Sequence, residues 1–285
     1  MKPTRFDRRR FTFSTLGCPE DDLGHSMERA KRHGFPCLEL RALGGRLDLP
    51  AYFAERYGRP AALRRELDAA GSGVCVLDTS FKLIGSGPRD REELLDFIPW
   101  AEGLDVPWLR VFDGGSLKDP LTEAAVREAA ETLQWWNAKR ERAGWNCDFI
   151  VETHSSLLRA ADCDVLHKAC GGGLNLLWDT HHTWFHGGET PGETWRGIAP
   201  LVRHLHIKDS VTDESVEPGY RNVPCGEGGF PFDRLLEALQ EPFFSGFVSF
   251  EWEKKWHPEL DDLNTALARM EANGFWSPDG RGEAR

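Results

Sequence analysis

The sequence lacks a basic excess. It carries 46 acidic side chains against 35 Lys and Arg, a net charge of −11. Nucleic-acid binding rests on a basic footprint, so the charge argues against a polyanionic partner. No apolar run approaches the roughly 20 residues of a membrane helix. The seven cysteines are an odd number without paired spacing, in a 285-residue chain too long to need staples. Reduced thiols in a cytoplasm are the expectation. Cys163, His167 and Cys170 fall at helical spacing and could be drawn as a zinc site, but a thiol-lined helix face is the plainer reading. A glycine-rich turn is also missing after the first strand-like stretch. Leu16-Gly17-Cys18-Pro19 is not a dinucleotide-binding fingerprint, which weighs against a doubly wound open sheet. Arg8-Arg9-Arg10-Phe11 looks like a twin-arginine export signal, and Leu16-Gly17-Cys18 faintly like a lipoprotein cleavage site. The stretch between them holds Thr12, Ser14 and Thr15 and falls short of the roughly 7–15 apolar residues a secretory signal needs. It reads as a first strand.

What is present is alternation. Strand-like runs fall at Phe11–Leu16, Cys37–Arg41, Val74–Asp78, Trp108–Phe112, Asp148–Thr153, Leu174–Asp179, His204–Lys208 and Phe247–Glu251. Helical stretches separate them. The one from Pro50 to Ala70 should break at Arg59-Pro60, and Pro99 should kink the one from Arg89 to Gly103. Pro120 to Gly144 is one long helix with a Val126, Ala129, Leu133, Trp136 stripe. The last helix carries Leu260, Leu263, Leu267 and Met270. The strands are apolar runs, as strands covered by helices should be. Eight strand–helix units predict a single-domain α/β fold, a (β/α)8 TIM barrel over residues 1–276, with residues 277–285 a disordered tail.

In such a barrel the active site lies at the C-terminal strand ends. Four consecutive strands end in ligand-type residues: Glu152, Asp179, His206 and Glu251. Three carboxylates that converge cannot all stay ionised without a cation, so a divalent metal follows from the electrostatics. Carboxylates with one His suit Mn²⁺, Mg²⁺ or Co²⁺, with Zn²⁺ possible. Residues two apart in a strand share a face. His204, His206 and Lys208 then point inward, with Lys208 nearest the mouth and His204 readable as a hydrogen-bonded core residue. Glu152 shares a face with His154, and His182 lies where it could turn back to a substrate hydroxyl. Trp184, Trp252 and Trp256 fall in expected mouth loops, where they could stack on a sugar.

With these residues placed, the chain resembles the xylose isomerase-like barrel superfamily of sugar isomerases and epimerases. Members hold one divalent metal with Glu, Asp, His and Glu from strands five to eight, the positions of Glu152, Asp179, His206 and Glu251. Asp179-Thr180-His181-His182 is similar to the Asp-x-x-His segment of ketose 3-epimerases, in which the histidine contacts substrate. Arg221, Pro224 and Gly226-Glu227-Gly228 are similar to their Arg-x-x-Pro-x-Gly-Glu-Gly-like loop, in which the arginine touches substrate. The resemblance makes Glu152 and Glu251 the proton-transfer pair. A second substrate-binding glutamate of the epimerases is missing, and Leu158 stands where it would fall.

The chemistry expected is proton abstraction next to a carbonyl through a metal-stabilised enediolate. Returning the proton epimerises or isomerises; losing a β-leaving group makes a lyase of the keto-sugar or inosose dehydratase kind. The expected partner is an unphosphorylated sugar, polyol or keto-sugar, with no nucleic acid and no membrane, in a chain that can form a homo-oligomer. Glu227 beside the glycines makes phosphate less welcome there.

Overall fold

The computed structural model describes residues 6–119 and 121–276. The expected tail, 277–285, lies outside the described residues. In chain order the first half holds β1 (Phe11–Phe13), α1 (Leu23–His33), β2 (Cys37–Leu40), α2 (Leu49–Tyr57), α3 (Pro60–Ala70), β3 (Gly73–Ile84), α4 (Pro88–Leu95), α5 (Ile98–Leu104), β4 (Trp108–Gly114) and α6 (Glu123–Ala143). The second half holds β5 (Asp148–Glu152), α7 (Ala160–Ala169), β6 (Leu176–Asp179), α8 (Thr180–Phe185), α9 (Pro191–Ile198) and β7 (Val202–Ile207). It ends with β8 (Asp209–Thr212), β9 (Tyr220–Val223), α10 (Phe232–Ala238), β10 (Phe247–Phe250) and α11 (Leu263–Ala272).

Eight strands form one sheet in the order β1-β10-β7-β6-β5-β4-β3-β2. All its pairings are parallel. A parallel bridge between Ser14 and Glu39 and a hydrogen bond from Thr12 Oγ1 to the Cys37 carbonyl (2.7 Å) join the two ends. The result is a (β/α)8 barrel. Both expected helix breaks occur. Gly58, at φ 71°, ends α2, and Pro60 opens α3 because it has no N–H to give to the preceding turn. α4 and α5 separate ahead of Pro99, which sits in the first turn of α5.

Two layers of packing position the site. Outside the sheet, helix stripes bury the main core. From α6, Ala129, Leu133 and Trp136 are buried, and the Trp136 ring stacks on Phe149 of β5 at 3.9 Å. From α11, Leu263, Leu267 and Met270 are buried, each contributing about 1.5–3 kcal/mol through removed apolar area. Inside, Cys37, Val76, Ile150 and Leu177 form a small separate apolar cluster. Two residues further along each of those strands stand Glu39, Asp78, Glu152 and Asp179, all buried. Alternation therefore stacks a charged layer directly over an apolar one.

Two elements were read as loop from sequence. Thr180–Phe185 is a short helix, not a continuation of the strand. The stretch after β7 forms an antiparallel hairpin, β8 paired with β9. The Arg8–Arg10 segment is a 3₁₀ turn leading into the buried strand β1. Among the described residues no helix is long and apolar enough to cross a membrane. All seven cysteines are free, and Cys170 Sγ donates to the His167 carbonyl (3.3 Å).

Candidate active site

Glu152, Asp179, His206 and Glu251 converge. One ligand atom from each lies within 4.8 Å of all the others, and all four residues are buried. The register explains this: Asp179 pairs with His206 across β6 and β7, and Ser249 of β10 pairs with His206 on the other side. Both oxygens of Glu152 and His206 Nδ1 are buried without a hydrogen-bond partner, and the buried Asp179 Oδ2 and Glu251 Oε2 are met only by the Lys208 ammonium. Unsatisfied buried groups of this kind are costly. One ligand atom from each of the four residues, gathered within 4.8 Å, fits a hard or borderline divalent cation with a mixed carboxylate and imidazole set.

Each ligand is held by its other side. Asp179 ends β6 and caps α8, its Oδ1 accepting from the His181 and His182 amides at 2.9 Å each. That leaves Oδ2 for the cluster. His206 Nε2 is 2.8 Å from Glu39 Oε1, while its Nδ1 lies 3.4 Å from both Glu152 Oε1 and Glu251 Oε2. The other oxygen of Glu39 meets His204 Nε2 at 2.7 Å. Glu39 thus takes the Nε2 proton of His206 and turns Nδ1 towards the site. His204 is the hydrogen-bonded core histidine expected.

Electrostatics follow from burial and from the near charges. Burial pushes Asp179 up to about 6, against the pull of the Lys208 ammonium. Burial would also raise Glu251, but Lys208 and His206 outweigh it and hold the carboxyl well below its ordinary range. Glu152 ends lowered, burial being outweighed by Arg110 and His206. Burial alone would lower His206, yet Glu39 and Glu251 raise it well above an ordinary histidine. The Lys208 ammonium and the proton on His206 therefore do part of the charge balancing that a cation would do.

Lys208 reaches the site as expected. Its ammonium lies 2.9 Å from Asp179 Oδ2, 2.7 Å from Glu251 Oε2 and 2.6 Å from Glu253 Oε1. His182 is there too. Its Nδ1 faces the Thr153 carbonyl (3.3 Å) and its Nε2 lies 3.2 Å from Lys208 Nζ, while burial and Lys208 hold it well below an ordinary histidine and so neutral. The half-buried His154 packs its ring edge-on against His182 at 4.7 Å. The half-buried Trp184 packs on the main core, with His181 and Phe230 at 5.5 Å each, and not against the four clustered residues.

Two expected substrate contacts are displaced. Trp252 is 2 % exposed rather than at an open mouth. Glu251 points inward, so its neighbour points out to the helix layer, where the indole stacks on Phe250 and donates to the Asp261 carbonyl (2.8 Å). Arg221 lies on β9 with its side chain 65 % exposed and paired to Asp213 Oδ2 at 2.6 Å. Hairpin alternation points its neighbour Asn222, not Arg221, towards the site, where Asn222 donates to Glu253 Oε2 (3.2 Å). Sequence reasoning missed Glu39, Arg41, Asp78 and Arg110. Each occupies an inward position on β2 to β4 or just after β2, and period-two spacing from the strand cores was the available signal.

The chain is thus an eight-stranded parallel barrel with a buried carboxylate–imidazole cluster, a candidate metal-binding group, at the ends of its last four barrel strands. The sequence pattern of the xylose isomerase-like TIM barrel family matches residues 27–273, and the chain belongs to that family. No curated protein matches the chain in sequence. Similar solved structures include the probable 3-DHS dehydratase AsbF of Bacillus anthracis, with a TM-score of 0.72, 18% identity, and 92% of this chain and 98% of that one covered. The IolI protein with a bound zinc atom has a TM-score of 0.73 at 15% identity, covering 93% and 96%. D-psicose 3-epimerase, solved in the presence of D-fructose, has a TM-score of 0.67 at 16% identity, covering 93% and 99%. At these identities the likeness carries the fold alone.

Proposed function

We propose that the chain is a divalent-metal-dependent isomerase or epimerase that moves a proton next to the carbonyl of a small sugar-type substrate. The observation that carries this is the convergence of four buried ligand-type residues, Glu152, Asp179, His206 and Glu251, with one ligand atom from each within 4.8 Å of the others. These four residues would hold one ion, with Mn²⁺, Mg²⁺ or Co²⁺ favoured by the oxygen-rich set and Zn²⁺ compatible with it. Such an ion supplies a Lewis acid that acidifies the C–H between a carbonyl and its neighbouring hydroxyl. Glu152 on β5 and Glu251 after β10 flank that centre and are the pair that removes and returns the proton, each positioned base being worth about 10²–10⁴ in rate. His182, neutral with Nε2 turned inward, and the half-buried His154 orient substrate oxygens. Arg221 can contribute only if the hairpin and its Asp213 pair rearrange.

A second reading, a dehydratase on a keto-sugar or inosose, is favoured by one specific residue. Lys208 places an ammonium 2.7 Å from Glu251 Oε2, a positive charge to stabilise a departing oxygen beside a carboxylate that removes the proton. Burial would lower it, but its carboxylate neighbours raise it well above an ordinary lysine, so its part is electrostatic rather than acidic. AsbF, a probable 3-DHS dehydratase on the same barrel, supports separating the two readings. A screen of keto-sugars and inososes with added Mn²⁺ in D₂O, followed by NMR, tests both. Deuterium beside the carbonyl of an isomeric product supports the first reading, and an unsaturated product with loss of water supports the second. Conversion at normal rate without solvent deuterium points to hydride transfer and overturns both.

A further inference from the structure

The reading of these strand ends as a substrate site leaves the charge of the substrate open, and the opposite wall of the barrel bears on it. The four candidate ligands come from β5, β6, β7 and the end of β10. The facing wall, β2 to β4, carries two buried guanidinium groups. Glu39 points into the barrel to meet His204 and His206, so Arg41, two residues further towards the mouth, points in as well. Arg41 is 4% exposed. Its Nη2 donates to Ser80 Oγ (3.0 Å), a hydroxyl on the mouth side of β3, while its Nη1 is buried with no partner. Arg110, on β4, is 1% exposed. Its Nη2 is 3.4 Å from Asp78 Oδ2 and its Nε is 3.5 Å from Glu152 Oε2, both long for aligned hydrogen bonds. Its guanidinium carbon lies 4.0 Å from the centre of the Phe112 ring, and its Nη1 also lacks a partner.

A guanidinium is a fork of five donors that matches a carboxylate in two parallel hydrogen bonds. Burying one with donors unmet is costly unless something else meets them. Asp78 and Glu152 lean towards Arg110; the hydrogen-bond partner of Arg41 is a neutral hydroxyl. Sugar hydroxyls would meet the free donors but leave the charge of Arg41 unpaired. A phosphate would bring nearly two negative charges into an interior that already holds Asp78, Glu152 and Glu251. A single carboxylate fits both requirements.

We propose that the substrate is a keto acid of the sugar type, whose carboxylate, remote from the reacting carbonyl, is received by Arg41 with Arg110 beside it. This rests on the proposed function for the position of the reacting end only. The test is calorimetric titration with three probes of one skeleton: D-fructose, D-fructuronate and D-fructose 6-phosphate. They differ only at the carbon remote from the ketone. Each is titrated into wild type, Arg41→Gln and Arg41→Lys, with and without Mn²⁺. Wild type should bind fructuronate at least tenfold more tightly than fructose. Arg41→Gln should erase that preference, and Arg41→Lys should keep part of it. Mn²⁺ affinity should stay unchanged in both variants, because Arg41 is not among the ligands. Equal binding of fructose and fructuronate by wild type overturns the proposal without any variant having to fold. So does tighter binding of the phosphate, which would assign the arginines to a phosphorylated sugar. A protein that prefers fructuronate but binds no metal would retain the carboxylate site and lose the metal reading, so the two fail separately.

Discussion

At the scale of single residues, Asp179 does two jobs with two oxygens. Oδ1 caps α8, and Oδ2 faces the cluster. Asparagine keeps the cap and loses the charge. Asp179→Asn should therefore fold with a melting temperature near that of metal-free wild type, but gain no stability from Mn²⁺. Asp179→Ala should lose the cap as well, about 1 kcal/mol. Thermal melts with and without Mn²⁺ check both. Glu39 sets which nitrogen His206 presents. Glu39→Gln should weaken metal binding about 10–100-fold, read by calorimetry on stripped protein; wild-type affinity in that variant would show that the hydrogen bond does not matter. Of the four clustered residues, Glu152, Asp179 and Glu251 were legible because each ends an apolar run in the sequence, and His206 because Leu205 and Ile207 flank it. Glu39 was not. Cys37-Leu38-Glu39-Leu40-Arg41 looks like an ordinary strand with surface charges, and only barrel closure brings it against His204 and His206.

At the scale of elements, two buried aspartates hold the loops around the site. Asp113, at the end of β4, accepts from the backbone amides of His154, Ser155, Ser156 and Leu157, so it ties down the loop after β5. Asp209, opening the hairpin, accepts from the amides of Gly226, Gly228 and Phe230. A Cβ at Gly228 would sit 2.3 Å from Asp209 Oδ1 and 2.4 Å from the Ser210 carbonyl, so this loop needs glycine there. Asp209→Ala and Gly228→Ala should each loosen residues 224–230, seen as faster amide exchange and proteolysis of that segment with β5 unaffected. The hairpin itself was hidden in the sequence because Asp209–Thr212 and Tyr220–Val223 are short and polar. Their pairing is fixed by Asp209 and by Tyr220 packing on Phe185, contacts between segments that a linear pattern cannot display. Missing the hairpin is also why Arg221 was placed at the substrate and Asn222 was not.

At the scale of the whole molecule, the alternation of eight strands with helices was readable because each segment carries its own period and its own stops, Gly34, Gly71 and Gly144 among them. Function depends on the charged layer inside. Without a cation, His206 keeps a proton that the cation would have to displace, and Asp179 takes one up as the pH falls through about 6. Their affinity for protons is raised, so protons compete below those values and the competition fades above them. Metal binding should therefore weaken steeply as the pH falls through about 6 and should release protons on binding. Calorimetry in buffers of different ionisation enthalpy counts those protons. The most direct measurement is a Mn²⁺ titration of chelator-stripped protein, carried out on wild type and on His206→Ala. One equivalent per chain for wild type, with a rise in melting temperature, and loss of both in His206→Ala, is the expected result. A stripped chain that binds no divalent ion, or a His206→Ala protein that binds it as wild type does, would contradict the assignment of Glu152, Asp179, His206 and Glu251 as one metal site.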